Sequence, residues 1–422
     1  MSFIPSGRVQ ELLKIERGGV WIDHSEPEYP YWIVAKLPMH LIRAIDKGVP
    51  VNLDAWVVQT DDGTFAAFGL GIHDEDEHPY GAYGGCRSTD EVVALSDVLG
   101  MDRVPIQFHN ENRLPVLTAV ATFDVSQTVE VRSSLPTGEY PQGDGFQMRK
   151  SVLDILERSM LAGAESEPRI ISRCSVLVRL ENPRRQRSVM IGSDGTASHF
   201  DLSDEDQGKE LEKATLHLFD ALFPFGSFHS PLRDDAKGKL EVCDVLAVNR
   251  IAPVEEEGIF VVQNKVVPTT EESLKRSTAR RAASIQKNIL GAMDQAVGAI
   301  KRLQAGIQVY KNDGTRIEED PSAVAGLLAR LNLQERAKQV GFGIILISDM
   351  DGFVDWNLVW ERSLEAMRKV RFQFHVFDLR ELHNLILCAN GKPARLESFL
   401  ILRLAIMQRD KRADVRMNFR PS

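Results

Sequence analysis

The chain has 422 residues and only four cysteines, Cys86, Cys174, Cys243 and Cys388. They form no CxxC pair and no Cys/His cluster at zinc spacing, which argues against a disulfide framework or a structural zinc. Cysteine this sparse fits a reducing compartment, and the cytoplasm is the expected home. Long apolar runs are missing too. No stretch approaches eighteen uncharged apolar residues, so a membrane span is excluded. The opening Met1-Ser2-Phe3-Ile4-Pro5 lacks the basic and apolar regions of a secretory signal. There is no GxxxxGK[ST] loop, no GxSxG elbow and no HExxH helix, and Gly69-Leu70-Gly71 lacks the third glycine of a dinucleotide fingerprint.

What is present is a globular composition, 43% hydrophobic and 26% charged, with length enough for two or three domains. The net charge of −9 is unevenly spread. Residues 1–150 carry 12 basic and 22 acidic side chains, whereas 366–422 carry 12 basic and 5 acidic. An anionic partner would therefore meet the C-terminal half, and the acidic front is a candidate protein-binding module.

The first part reads as strand-rich. Trp32–Leu37 and Asp54–Gln59 are β-type runs, and Asp61-Asp62-Gly63-Thr64 before Phe65–Leu70 predicts a hairpin. Ser88-Thr89-Asp90-Glu91 predicts a capped helix start. Pro136–Gly145, with two prolines and three glycines, reads as a linker. A helix is expected over 148–162, then strands at Ile170–Leu180 and Ser188–Ile191 around the turn Glu181-Asn182-Pro183.

Beyond residue 200 the pattern sharpens. Ser203-Asp204-Glu205 opens a helix with Leu211, Ala214, Leu218 and Phe219 at helical spacing. Two strands, Leu240–Val248 and Gly258–Val267, flank an acidic turn. Thr269 with Glu272 predicts a capping box and a long helix to about Gln304. Further expectations are a helix over 322–338, strands at Gly343–Ile347 and Phe372–Phe377, and a helix capped by Asp378 and Glu381. Trp356 and Trp360 fall on one helical face and should pack in a core. The order implies a mixed α/β fold. The expected division is an acidic strand-rich N-terminal domain over 1–135, a linker at 136–147, a connecting α/β segment at 148–202, an α/β domain at 203–390 and a basic C-terminal helix and tail at 391–422.

One constellation carries chemistry. Asp244 lies mid-strand among apolar neighbours, which is costly for a carboxylate without a cationic partner. Gln263 and Lys265, two apart, share a strand face. A hairpin could bring the three together, with Asp244 and Gln263 as hard oxygen ligands suited to magnesium and Lys265 beside them. Just downstream, Lys275, Arg276, Arg280, Arg281 and Lys287 crowd one helix, with no acid between Glu272 and Asp294. Such a stripe suits phosphate contacts of little sequence preference.

Asp244 followed by Gln263-x-Lys265, after the helix bearing Gly208-Lys209-Glu210-Leu211-Glu212, resembles the PD-(D/E)xK nuclease superfamily, most closely its Mrr-type QxK branch, over roughly residues 203–310. The resemblance implies a restriction-endonuclease-like core in the C-terminal half and a divalent metal, Mg2+ or Mn2+. It makes Asp244 the central ligand, Gln263 the second and Lys265 the catalytic lysine. Glu212 would be the helical acid, with Glu210 the competing candidate. The implied activity is hydrolysis of phosphodiester bonds in DNA, or in RNA as the lesser choice, in a microbial restriction or anti-phage role. The alternative is a nuclease-like domain without cutting that binds nucleic acid or protein. An oligomer is compatible with either.

Overall fold

The computed structural model describes residues 3–16, 18–24, 30–74, 80–138, 152, 154–156, 169–193, 195, 197–202, 206–235, 238–250, 258–274, 276–319, 331–339, 341–348 and 354–417. The chain is mixed α/β and forms two compact units, Met1–Arg187 and Ser188–Ser422.

The first unit contains α1 (Gly7–Ile15), β1 (Gly19–His24), β2 (Tyr31–Lys36), α2 (Met39–Asp46), β3 (Val51–Thr60), β4 (Gly63–Ile72) and β5 (Tyr80–Gly85). After these come α3 (Thr89–Leu99), β6 (Arg103–His109), β7 (Pro115–Thr122), α4 (Val129–Ser134) and β8 (Ile170–Arg185). The expected hairpin forms: Thr60 pairs with Gly63 across Asp61-Asp62. The expected cap forms as well, with Ser88 Oγ accepting the Glu91 amide and Glu91 reaching back to the Arg87 amide.

The strands make one sheet in the order β1-β2-β6-β7-β8-β3-β4-β5. Its ends curl toward each other, because a Cβ on Gly84 would lie 2.1 Å from the Val20 carbonyl, so only glycine fits there. β8 departs from expectation. Asn182 adopts a positive φ of 51°, as turn chemistry suggests, yet the strand runs on through it. Its first half pairs with β3 and its second with β7. The expected connecting segment over 148–202 is thereby divided, its long strand belonging to the first sheet. The 136–147 linker and the 148–162 helix fall largely outside the described residues.

The second unit opens with β9 (Ser188–Ile191), β10 (Ala197–Phe200), α5 (Gln207–Leu222), β11 (Ser227–His229), β12 (Leu232–Asp235), β13 (Gly238–Glu241), β14 (Val245–Val248) and β15 (Ile259–Lys265). It continues with α6 (Glu271–Leu274), α7 (Thr278–Gln304), β16 (Val309–Tyr310), α8 (Leu333–Lys338), β17 (Gly341–Ile347), α9 (Trp356–Val370), β18 (Gln373–Asp378), α10 (Leu379–Ala389) and α11 (Pro393–Asp410). The main sheet has the order β11-β14-β15-β17-β18. β11, β14 and β15 run antiparallel, and β15, β17 and β18 run parallel.

Both faces of this sheet are covered, as its near-continuous apolar strands require. Phe219 of α5 and Phe223 just after it pack on Phe260. On the other face Leu246, Val261 and Ile345 join Ile289, Met293 and Ile300 of α7, with Trp356 and Trp360 in the same core. β12, β13 and β16 form a small separate sheet.

Two helix starts correct the sequence reading. Ser203–Glu205 lie outside the described residues, and Asp206 caps α5 by accepting the Lys209 amide. The helix expected from Thr269 to 304 breaks in two. Thr270 and Ser273 bond reciprocally, Thr270 N–H to Ser273 Oγ and Ser273 N–H to Thr270 Oγ1. That exchange closes one turn, and α7 begins afresh after Ser277. The expected 322–338 helix is described only as α8. At the C-terminal end Asp378 Oδ1 accepts the Glu381 amide, and fully buried Arg403 donates to the carbonyls of Val376, Ala413 and Val415. Among the described residues no helix is long and apolar enough to cross a membrane.

Candidate functional site

The C-terminal end of β15 carries Gln263, Asn264 and Lys265. β14 runs antiparallel with Val245 opposite Val262, so Asp244, just before β14, reaches the same end of the sheet. The Asp244 amide donates to Val262 O at 3.2 Å, and its carbonyl accepts the Ser230 amide at 2.7 Å. Its carboxylate Oδ2 takes the Asn264 amide at 2.5 Å. The side chain thus replaces a ladder carbonyl and is locked at the strand end.

Alternation along β15 sorts the next side chains. Asn264 faces α5, where its Oδ1 accepts the Thr215 hydroxyl at 2.9 Å. Gln263 and Lys265 share the opposite face with Val261, as their spacing predicted. Gln263 is buried and Lys265 half-buried. The Lys265 carbonyl accepts the Ser348 amide from the end of β17.

Glu212 comes from α5. Its Oε2 lies 3.2 Å from Nε2 of His229 on β11. Its charge reaches Asp244 directly. Burial first, then repulsion from Glu212 and Glu241, lift the Asp244 carboxyl to about 7, against the Asn264 N–H bond and the attraction of Lys265. Glu210 is buried on the same helix and is not among the charges acting on Asp244. Glu212 is a helical acid whose charge acts on Asp244. Among the described residues no three His, Cys, Asp or Glu side chains stand together in metal-binding geometry.

The basic helix is partly described. Arg276 and Arg280 are exposed around the start of α7, Arg281 is buried in its first turn, and Lys275 lies outside the described residues. Three arginines at a helix N-terminus oppose the macrodipole, a cost a bound anion would offset. No local pattern marks His229 or Glu241 as members of this cluster. β11 has three residues, too few for periodicity to orient a histidine. No family model matches this chain, and neither a curated protein nor a solved structure matches it.

Proposed function

We propose that the second unit is a metal-dependent phosphodiesterase acting on DNA, with RNA as the lesser candidate. The observation that carries this is the placement of Asp244 beside the C-terminal end of β15, its carboxylate on the Asn264 backbone amide and under the charges of Lys265 and Glu212, with Gln263 and Lys265 sharing one face of that strand. The chain order supports it: helix α5, the antiparallel strands β11, β14 and β15, helix α7, then β17 parallel to β15. That is the arrangement expected of a restriction-endonuclease-like core.

The donor set suits a hard divalent cation. Two repelling carboxylates, one raised to about 7, are relieved by a cation between them, and the Gln263 amide adds a neutral oxygen. Asp244, Gln263 and Glu212 would hold Mg2+ or Mn2+, which when bound supplies charge to offset a phosphoryl oxygen. Asn264 fixes the Asp244 carboxylate through its amide. Lys265 stands on the same face to orient the attacking water and stabilise the developing oxyanion. Arg276 and Arg280, with Lys275 of the same basic run in the sequence, hold flanking phosphates. The acidic first unit is the candidate contact for a protein partner. In a microbial cell this combination fits restriction or anti-phage defence.

Calorimetric titration with magnesium or manganese tests the site. Asp244→Ala should lose tight metal binding, and Gln263→Glu should bind more tightly by adding a formal charge. Equal affinity in wild type and both variants would remove these residues as ligands and favour a non-cutting nucleic-acid-binding module.

A further inference from the structure

We infer that His229 is a positioning residue that holds the Glu212 carboxylate in the site. This inference rests on the reading of Glu212 as a metal ligand. β11 pairs with β14 with His229 opposite Val245, and Phe228 points into the core beside α7. Alternation therefore turns His229 toward α5, the helix that carries Glu212. There its Nε2 meets Glu212 Oε2 at 3.2 Å. Nε2 donates in this contact, whether the ring is neutral in that tautomer or charged, so the role needs no change of protonation.

The geometry explains why such a residue is needed. Asp244, Gln263 and Lys265 are fixed by the hairpin, the first locked further by the Asn264 amide. Glu212 arrives from a helix packed on the other face, on a long side chain with several rotamers. Left unbonded it would lose that freedom on joining an ion. His229 selects the rotamer beforehand.

The histidine is itself held. Its strand neighbour Ser230 donates its amide to the Asp244 carbonyl at 2.7 Å. The His229 carbonyl accepts from Asn312 Nδ2 at 3.4 Å, and Lys311 stands 5.9 Å from the Phe228 ring. Residues after β16 thus secure the strand bearing His229. One element fixes the position of Asp244 and the direction of Glu212 together. Outer partners of this kind tune metal affinity through the ligand they hold.

The test uses the full chain and the metal alone. Manganese is titrated calorimetrically into wild type, His229→Ala, His229→Gln and Asp244→Ala, with thermal melts confirming folding. His229→Ala should bind manganese about 10- to 100-fold more weakly. His229→Gln, whose amide donates from nearly the Nε2 position, should recover most of the loss. A merely structural surface pair would not produce that rescue. If Asp244→Ala abolishes binding while His229→Ala binds as wild type, the positioning role is refuted and the metal site stands. If Asp244→Ala also binds as wild type, the metal site itself is wrong and the inference falls with it.

Discussion

Asp244→Asn should make the metal-free protein more stable at alkaline pH. The folded carboxyl titrates at about 7, against an ordinary value of 3.8, because it is buried and faces Glu212 and Glu241. A raised acid binds its proton more tightly in the folded state. Stability therefore falls as pH rises from about 4 to 7, and the full penalty stands above 7. The shift corresponds to on the order of 4 kcal/mol. Asparagine keeps an oxygen for the Asn264 amide and removes the charge, so recovery of about 2 kcal/mol at pH 8.5 is the working expectation, with almost none at pH 4. For a unit of this size that is a rise of about 4–8 °C in melting temperature. Thermal melts with a chelator present, at steps from pH 4 to 8.5, give the comparison. Magnesium added to wild type at pH 8.5 should raise the melt as well, since it binds only the folded site. An asparagine variant that melts lower than wild type at pH 8.5, or differs equally at every pH, would refute the argument.

Three further outcomes follow from the same structure. Arg403→Met strands the carbonyls of Val376, Ala413 and Val415 and removes the cation over Phe377, so urea unfolding should show a loss of about 3–5 kcal/mol, with earlier proteolysis of 411–417. Burial and the charge of Lys36 hold His109 neutral with its pKa near 4; stability from this group is complete above about 6.5 and drains as pH falls, by about 2 kcal/mol at pH 5, and His109→Gln should flatten that loss in urea titrations. Replacing both Arg276 and Arg280 with glutamine should weaken DNA binding across unrelated sequences and reduce the salt slope by about 2, as read by fluorescence anisotropy.

Periodic elements were legible from the residues alone. The Asp61-Asp62 hairpin, the Ser88 cap, the strand reaching Lys265 and the core role of Trp356 and Trp360 each rest on local signals that tertiary packing left unopposed. The shared face of Gln263 and Lys265 follows from strand geometry in the same way. The strand expected over Leu240–Val248, by contrast, divides into β13 and β14 of two different sheets and leaves Asp244 between them rather than mid-strand. Long-range bonds were not legible. Asn182-Pro183 carried true turn chemistry, but pairing with β7 kept β8 extended through it. Thr269 and Glu272 matched a capping box, yet Thr270 and Ser273 made the closer exchange. Arg403 lies in the stretch expected as a basic C-terminal helix and tail, and nothing local marks it as the arginine that three carbonyls and an aromatic ring bury completely. The link between His229 and Glu212 joins residues seventeen apart on a helix and a three-residue strand, and no local pattern encodes it.

The central claim is that Asp244, Gln263 and Lys265 form the centre of a metal-dependent phosphodiesterase, and DNA cleavage tests it most directly. Supercoiled and linear duplexes are incubated with wild type, Asp244→Ala and Lys265→Ala, with magnesium, manganese or a chelator. Wild type should cleave only with metal, both variants should lose cleavage, and metal binding should be lost in Asp244→Ala but retained in Lys265→Ala. Cleavage that persists in Asp244→Ala, or none by wild type with either metal, would contradict it.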